Sequence, residues 1–230
     1  AYFVPVKEVS AMKKLTAITL TALLSLCMVM TACTASSQER QDTDAKVTIY
    51  LARHGNTLFN LTKRIQGWSN SPLIEEGIET AEDLGVGLKN SGITFDCAYS
   101  GDLGRQRETA RIILDKMGYT DMTVRETPGL REICYGSWEG ELGSVRNETF
   151  CEITGVENYK DLYEDHDRLF EIYVQTDQSG MAETREEASS RILNALNEIA
   201  EEAVKNGESN VLAVTSSGTI FTLLPYLGVE

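Results

Sequence analysis

The chain has 230 residues, 42% of them hydrophobic and 24% charged. That is enough apolar material for one substantial core, with a charge content ordinary for a soluble globular protein. A formal net charge of −14 argues against a nucleic-acid partner, because phosphate backbones are gripped by clustered Lys and Arg. Of the five cysteines, Cys97, Cys134 and Cys151 stand at no metal-ligand spacing, and core cysteines are the default reading.

The first residues belong to targeting rather than to the fold. Residues 1–11 lack an initiator Met and are expected to be an upstream extension, with Met12 as the start. Residues 12–32 have the layout of a signal peptide: Lys13 and Lys14, then the apolar run Leu15 to Met30, then small residues. The run is short for a stable membrane span. Met30-Thr31-Ala32-Cys33 resembles the lipobox of bacterial lipoproteins. That resemblance implies lipidation of Cys33, export, and a membrane anchor facing the extracytoplasmic side. The alternative is an ordinary cleaved secretory signal with Cys33 incidental. Residues 33–45 are small and polar, the composition of a flexible tether. The folded domain is expected over 46–230.

Within that domain, Lys46 to Ala52 is β-branched and apolar, a buried strand of the parallel-sheet kind. A helix follows over Glu75 to Lys89, and a short strand over Phe95 to Ser100. Asp102 to Met117 has helical periodicity, with Asp102 expected to cap it. Met122 to Arg125 is a third strand. Tyr159 to Tyr173 and Thr184 to Lys205 read as two amphipathic helices, and Asn210 to Thr215 as another buried strand. Strands alternating with helices predict an α/β fold, a three-layer sandwich with a mainly parallel central sheet flanked by helices. Ligands collect at the carboxyl ends of such strands. Arg53-His54, Ser100-Gly101 and Ser216-Ser217 all lie there.

His54 is one of only two histidines. A neutral imidazole near pH 7 can serve as base, metal ligand or nucleophile. The adjacent Arg53 favours an anionic substrate, since a guanidinium matches phosphate oxygens, and Gly55 lets backbone approach a ligand. Together these suit attack on a phosphoryl group. Arg53-His54-Gly55 alone is too short to decide.

The remaining motifs extend the pattern. Arg53 to Thr57, then Asn60, Arg64, Gln66-Gly67 and Pro72-Leu73, resemble the opening signature of the histidine phosphatase superfamily. Ser100 to Arg105 with Thr109-Ala110 resembles its second motif. Leu130 to Ile133, Tyr135-Gly136 and Trp138 to Gly140 resemble its third. The resemblance implies a phosphoglycerate mutase-like fold and a cofactor-free reaction on a phosphorylated small molecule. It implies His54 as the transiently phosphorylated nucleophile and Arg53 and Arg105 as the phosphate clamp. Thr57, Asn60 and Gly67 would complete the substrate pocket, and Glu132 would be the general acid. A carboxyl beside a phosphate is pushed toward its protonated, proton-donating form.

The resemblance breaks at one position. Ser216 stands where the family carries a second histidine, and a hydroxyl donates one hydrogen bond without charge. Deleting one preorganised donor of this kind costs about 10²–10³ in rate. His166, in an acidic stretch, is expected at the surface rather than in the site. The chain stops soon after an apolar helix, where family members usually continue, so a truncated C-terminus is expected. The expectation is an exported phosphomonoesterase working through phosphohistidine, impaired at Ser216. A non-catalytic phospholigand-binding lipoprotein is the alternative, and a phosphoglycerate mutase ranks below both. Specificity is expected from Glu141 to Glu187, whose acidic cluster reads as a solvated helix face.

Overall fold

The computed structural model describes residues 46–227, together with the backbone of the strand Phe3–Val6. The expected signal segment, Cys33 and the tether lie outside the described residues. Five strands form one sheet: β1 (Phe3–Val6), β2 (Thr48–Arg53), β3 (Cys97–Ser100), β4 (Val124–Glu126) and β5 (Asn210–Thr215). Their order is β1-β2-β5-β3-β4. Strands β2, β5, β3 and β4 run parallel, and β1 pairs antiparallel along the edge of β2.

Alternation along the strands builds two cores. Ile49, Leu51, Cys97, Tyr99, Val211 and Ala213 face one way. They pack under α7 (Arg185–Asn206) and α8 (Ser217–Leu223), which contribute Ile192, Leu196, Ile199 and Leu223. Ala52, Ala98, Leu212 and Val214 face the other way. They meet α2 (Glu75–Asn90) and α3 (Gly104–Met117) through Ala81, Leu88, Ile113 and Leu114. Because both faces are covered, the inner strands β2, β5 and β3 are largely apolar and buried, whereas the edge strand β4 is polar at Arg125 and Glu126. This is the three-layer α/β arrangement expected from the sequence.

Local chemistry explains the boundaries. Thr184 and Glu187 form a reciprocal capping box that starts α7, one residue after the expected start. Gly207, with φ 72°, takes the left-handed conformation that ends it. Asp102 does not cap α3; Leu103 occupies that position without a side-chain bond. Both Asp102 oxygens instead accept from Arg131, at 2.6 Å each. A charge-assisted bidentate pair outweighs a single cap bond.

The segment between β4 and α7 departs most from expectation. The single helix expected over Tyr159 to Tyr173 is broken into α5 (Tyr159–Glu164) and α6 (His166–Thr176). Asp165 makes the break, accepting from the Arg168 N–H at 3.2 Å as the cap of the second helix. An additional helix, α4 (Gly143–Thr154), has no clear apolar stripe because only Phe150 in it is buried. Phe150, Leu162, Ile172 and Tyr173 form a third, smaller core that holds α4, α5 and α6 together.

Leu212 is fully buried in β5, at the centre of the sheet. Leu212→Ala should lower the unfolding free energy by about 2–5 kcal/mol in chemical denaturation. A loss under about 1 kcal/mol would contradict a central, packed β5.

Candidate active site

The parallel register sets the strand ends side by side. Arg53 is opposite Thr215, and Ser100 is opposite Val214. The His54 N–H extends the pairing by donating to the Thr215 carbonyl at 3.0 Å. Beyond that edge lies an open cavity of about 520 Å³, with Arg53, Asn60, Gln66, Glu132, Arg146 and Ser217 in its wall. His54 (6% exposed) and Arg105 (1%) are buried and are not among its lining residues.

His54 has a defined tautomer. Its Nδ1 lies 2.8 Å from the Gly55 carbonyl, which can only accept, so Nδ1 carries the proton. The Nε2 lone pair accepts from Arg105 Nε at 3.1 Å. Burial, then the positive charges of Arg105 and Arg53, push the imidazole down to about pKa 3, against the opposing Gly55 bond. His54 is therefore neutral across the physiological range. Gly55 is required for packing: a Cβ there would sit 2.3 Å from the Gly77 carbonyl of α2. Its N–H donates to Thr109 Oγ1 of α3 at 3.1 Å, so the freedom attributed to it for a ligand is spent on packing against α2 and α3.

Arg105 sits in the first turn of α3 and points into the interior. Its Nη1 donates to the Ser69 carbonyl at 2.8 Å and its Nη2 to the Gly67 carbonyl at 2.7 Å. Those carbonyls are held in place by a residue that the third motif includes but to which motif reading gave no role. Glu139 accepts the N–H groups of Gly67, Trp68, Ser69 and Tyr135 at 2.8–3.2 Å. Gly67 is packed too tightly for a side chain, since a Cβ would meet the Ile133 carbonyl at 2.1 Å and Glu139 Oε1 at 2.2 Å.

Glu132 is 4% exposed. Its Oε1 accepts from Ile133 and Thr219 N–H, and its Oε2 from Gly218 N–H. Burial raises its pKa above the ordinary carboxylate value; the backbone donors and the two arginines pull the other way. The loop carrying it is pinned at three successive carbonyls. Thr215 and Gln106 hold Leu130, Thr219 and Arg191 hold Arg131, and Trp68 Nε1 holds Glu132. Gln106, Thr219 and Arg191 carry no sequence signal of this, because each acts from a different element.

The other predicted residues divide. Asn60 lines the cavity, and its Oδ1 accepts from the Thr57 N–H at 3.0 Å. Thr57 is fully buried, caps the short helix α1 (Leu58–Leu61), and donates to Gln66 Oε1 at 2.6 Å, so its hydroxyl is committed within the loop. Ser216 is also fully buried. Its Oγ accepts from Gln106 Nε2 at 2.9 Å, and it is Ser217, not Ser216, that reaches the cavity wall. His166 is half-buried rather than free at the surface, between Tyr163 and Phe221. Among the described residues no His/Cys/Asp/Glu group could hold a metal ion.

The buried, neutral His54 makes a pH prediction. The unfolded chain protonates this ring near 6.5 and the folded chain only near 3, so unfolding takes up a proton between those values. The stability it contributes is complete above pH 6.5 and is lost as pH falls toward 3. The raised Glu132 acts in the opposite sense: its contribution is complete below its ordinary value of 4.5 and lost as pH rises through its folded value. Near pH 5 the wild-type slope should exceed that of His54→Asn by close to one proton, about 1.4 kcal/mol per pH unit. Equal slopes in urea titrations at pH 4–7 would contradict a buried neutral imidazole.

Known proteins share this architecture. A phosphoglycerate mutase structure from Bacillus anthracis str. Sterne superposes with TM-score 0.76 at 36% identity, covering 81% of this chain and 82% of that one. A phosphoserine phosphatase from Entamoeba histolytica, solved with 3-phosphoglyceric acid, gives TM-score 0.56 at 28% identity over 79% of this chain and 80% of that one. "Probable phosphoglycerate mutase GpmB" of Yersinia pestis (strain Pestoides F) is 47% identical over 91 residues, 40% of each chain. The match thus spans well under half the length of the curated relatives. The family model of the histidine phosphatase superfamily, branch 1, matches residues 49–229. With its parallel sheet and with His54, Arg105 and Glu132 gathered at one edge, this chain belongs to the histidine phosphatase superfamily.

Proposed function

We propose that the protein is a phosphomonoesterase that works through a phosphohistidine at His54. One observation carries the reading: a neutral imidazole, its Nε2 held only by an arginine, lies beside the buried Arg105 guanidinium and the partly buried Arg53 at the cavity wall. Arg105 Nε spends its bond on that nitrogen, and the buried Arg53 Nε has no acceptor among the described residues. A phosphoryl oxygen would satisfy both donors at once and free Nε2 to attack. Nε2 forms a bond to phosphorus as the ester P–O bond breaks. Glu132, protonated at Oε2, which accepts only one backbone bond, gives its proton to the departing alcohol oxygen. The resulting carboxylate then takes a proton from water, which attacks phosphorus and releases phosphate and His54. Arg53 and Arg105 hold the charge that develops on the equatorial oxygens, and Asn60 borders the substrate. The residues of this scheme supply each step without a cofactor.

A second reading rests on Ser216. Its hydroxyl is turned to Gln106 and supplies nothing to the cavity, which favours a phospholigand-binding protein with an intact clamp and no turnover. Aryl phosphate hydrolysis by wild type, His54→Ala and Ser216→His separates the two. The phosphatase reading predicts wild-type turnover, a loss of about 10³-fold or more in His54→Ala, and a gain of up to about 10²-fold in Ser216→His. Turnover by Ser216→His alone, with phosphate binding by wild type, would favour the binding module. Undiminished hydrolysis by His54→Ala would end the phosphohistidine reading.

The leader motif supports placing the protein outside the cytoplasm, held by a lipid at Cys33. A phosphoglycerate mutase role fits that location poorly, because the mutase substrates are cytoplasmic. Cys33→Ala should move the expressed protein from the membrane to the soluble fraction, and an unchanged distribution would remove the anchor from the account.

A further inference from the structure

A second cavity, of about 120 Å³, adjoins the first. The two share Tyr135, Arg146, Tyr173 and Ser217 in their walls, so a group leaving the phosphate cavity meets the second directly. The outer walls of the smaller cavity are aromatic: Tyr159, Tyr163, His166, Phe170 and Phe221. Among the described residues, no carboxylate lines it.

Its one arginine is already engaged. Arg146 donates to the Tyr173 hydroxyl and, through Nε, to Asn147 Oδ1 at 2.8 Å. Its guanidinium lies 4.2 Å from the centre of the Tyr159 ring. With Nε and Nη1 engaged, it contributes mainly a flat cationic wall stacked among rings. Ring pairs line the same region: Tyr135 and Tyr173 stand 4.7 Å apart, and His166 stands 5.9 Å from Tyr163 and 6.3 Å from Phe221. The volume is that of a single ring, since an apolar cavity of about 150 Å³ accommodates benzene.

Resting on the phosphatase reading, we infer that this side cavity receives the alcohol part of the substrate, and that the preferred substrates are phosphomonoesters carrying one aromatic ring. The phosphoryl group sits toward Arg53, and the ring packs beyond Arg146 against Tyr163 and Phe221. Offset and edge-on ring contacts, with removal of the ring from water, supply the preference. The cavity's wall comes from α4, α5, α6 and α8, so the specificity belongs to the region whose helices were least regular in sequence.

Non-hydrolysable probes test this without turnover. Benzylphosphonate and methylphosphonate carry the same head group, with and without the ring. Calorimetry on the full chain should give benzylphosphonate a Kd at least about tenfold lower. Tyr163 and Phe221 are 48% and 41% exposed at the rim, so truncating them leaves the cores intact. Tyr163→Ala and Phe221→Ala should each bring the ratio of the two Kd values at least about threefold closer to one. Equal affinity for both probes would overturn the ring pocket and leave the phosphate site standing. An unchanged ratio in both variants would place the ring elsewhere and also overturn the inference. Binding of neither probe would overturn it together with the phosphate-site reading beneath it.

Discussion

A guanidinium at 1% exposure cannot persist in a protein interior unless acceptors surround it, and the site is organised around meeting that demand for Arg105. Two backbone carbonyls, Gly67 and Ser69, supply the acceptors, and His54 Nε2 supplies the third. Carbonyls in a loop are useful only if the loop stays still. Glu139 provides this by gathering the three N–H groups of Gly67, Trp68 and Ser69 on one carboxylate, together with that of Tyr135. The parallel sheet provides the rest, because β2 and β5 end in register and deliver Arg53 and Thr215 side by side.

The same burial sets the chemistry of the two titratable groups. Low dielectric and two nearby positive charges hold His54 neutral far below its ordinary range, which keeps Nε2 unprotonated. Burial moves Glu132 the other way, toward its protonated form. One desolvated environment thus lowers the pKa of the base and raises that of the acid, the pairing that the proposed transfer through a histidine would use. In the proposed reaction the arginine bond that occupies Nε2 would be exchanged for one to a phosphoryl oxygen before attack, so that the clamp closes on the substrate.

Much of the framework was legible in the sequence, because its signals are local. Strand Asn210–Thr215 has the expected bounds, since an apolar β-branched run between polar residues admits little else. His54, Arg105 and Glu132, drawn from three motifs across the chain, meet at one sheet edge. The misses depend on partners distant in sequence. Asp102 is drawn from its capping role by Arg131, 29 residues away. Glu139 reaches back some 70 residues to the loop at Gly67. Ser216 is turned to Gln106, 110 residues before it, so its place in the motif did not reveal its direction. The aromatic side cavity was invisible because its walls come from four helices, two of them separated by the break at Asp165 and one nearly without buried residues.

The account turns on a covalent bond between phosphorus and His54. The most direct test is rapid quenching of the enzyme during hydrolysis of an aryl phosphate, under alkaline conditions that preserve phosphohistidine, followed by peptide mass analysis. The account predicts one phosphoryl group on the peptide containing His54 and none on the peptide containing His166. Turnover with no phosphoryl group trapped on His54, or with the group on another residue, would contradict it.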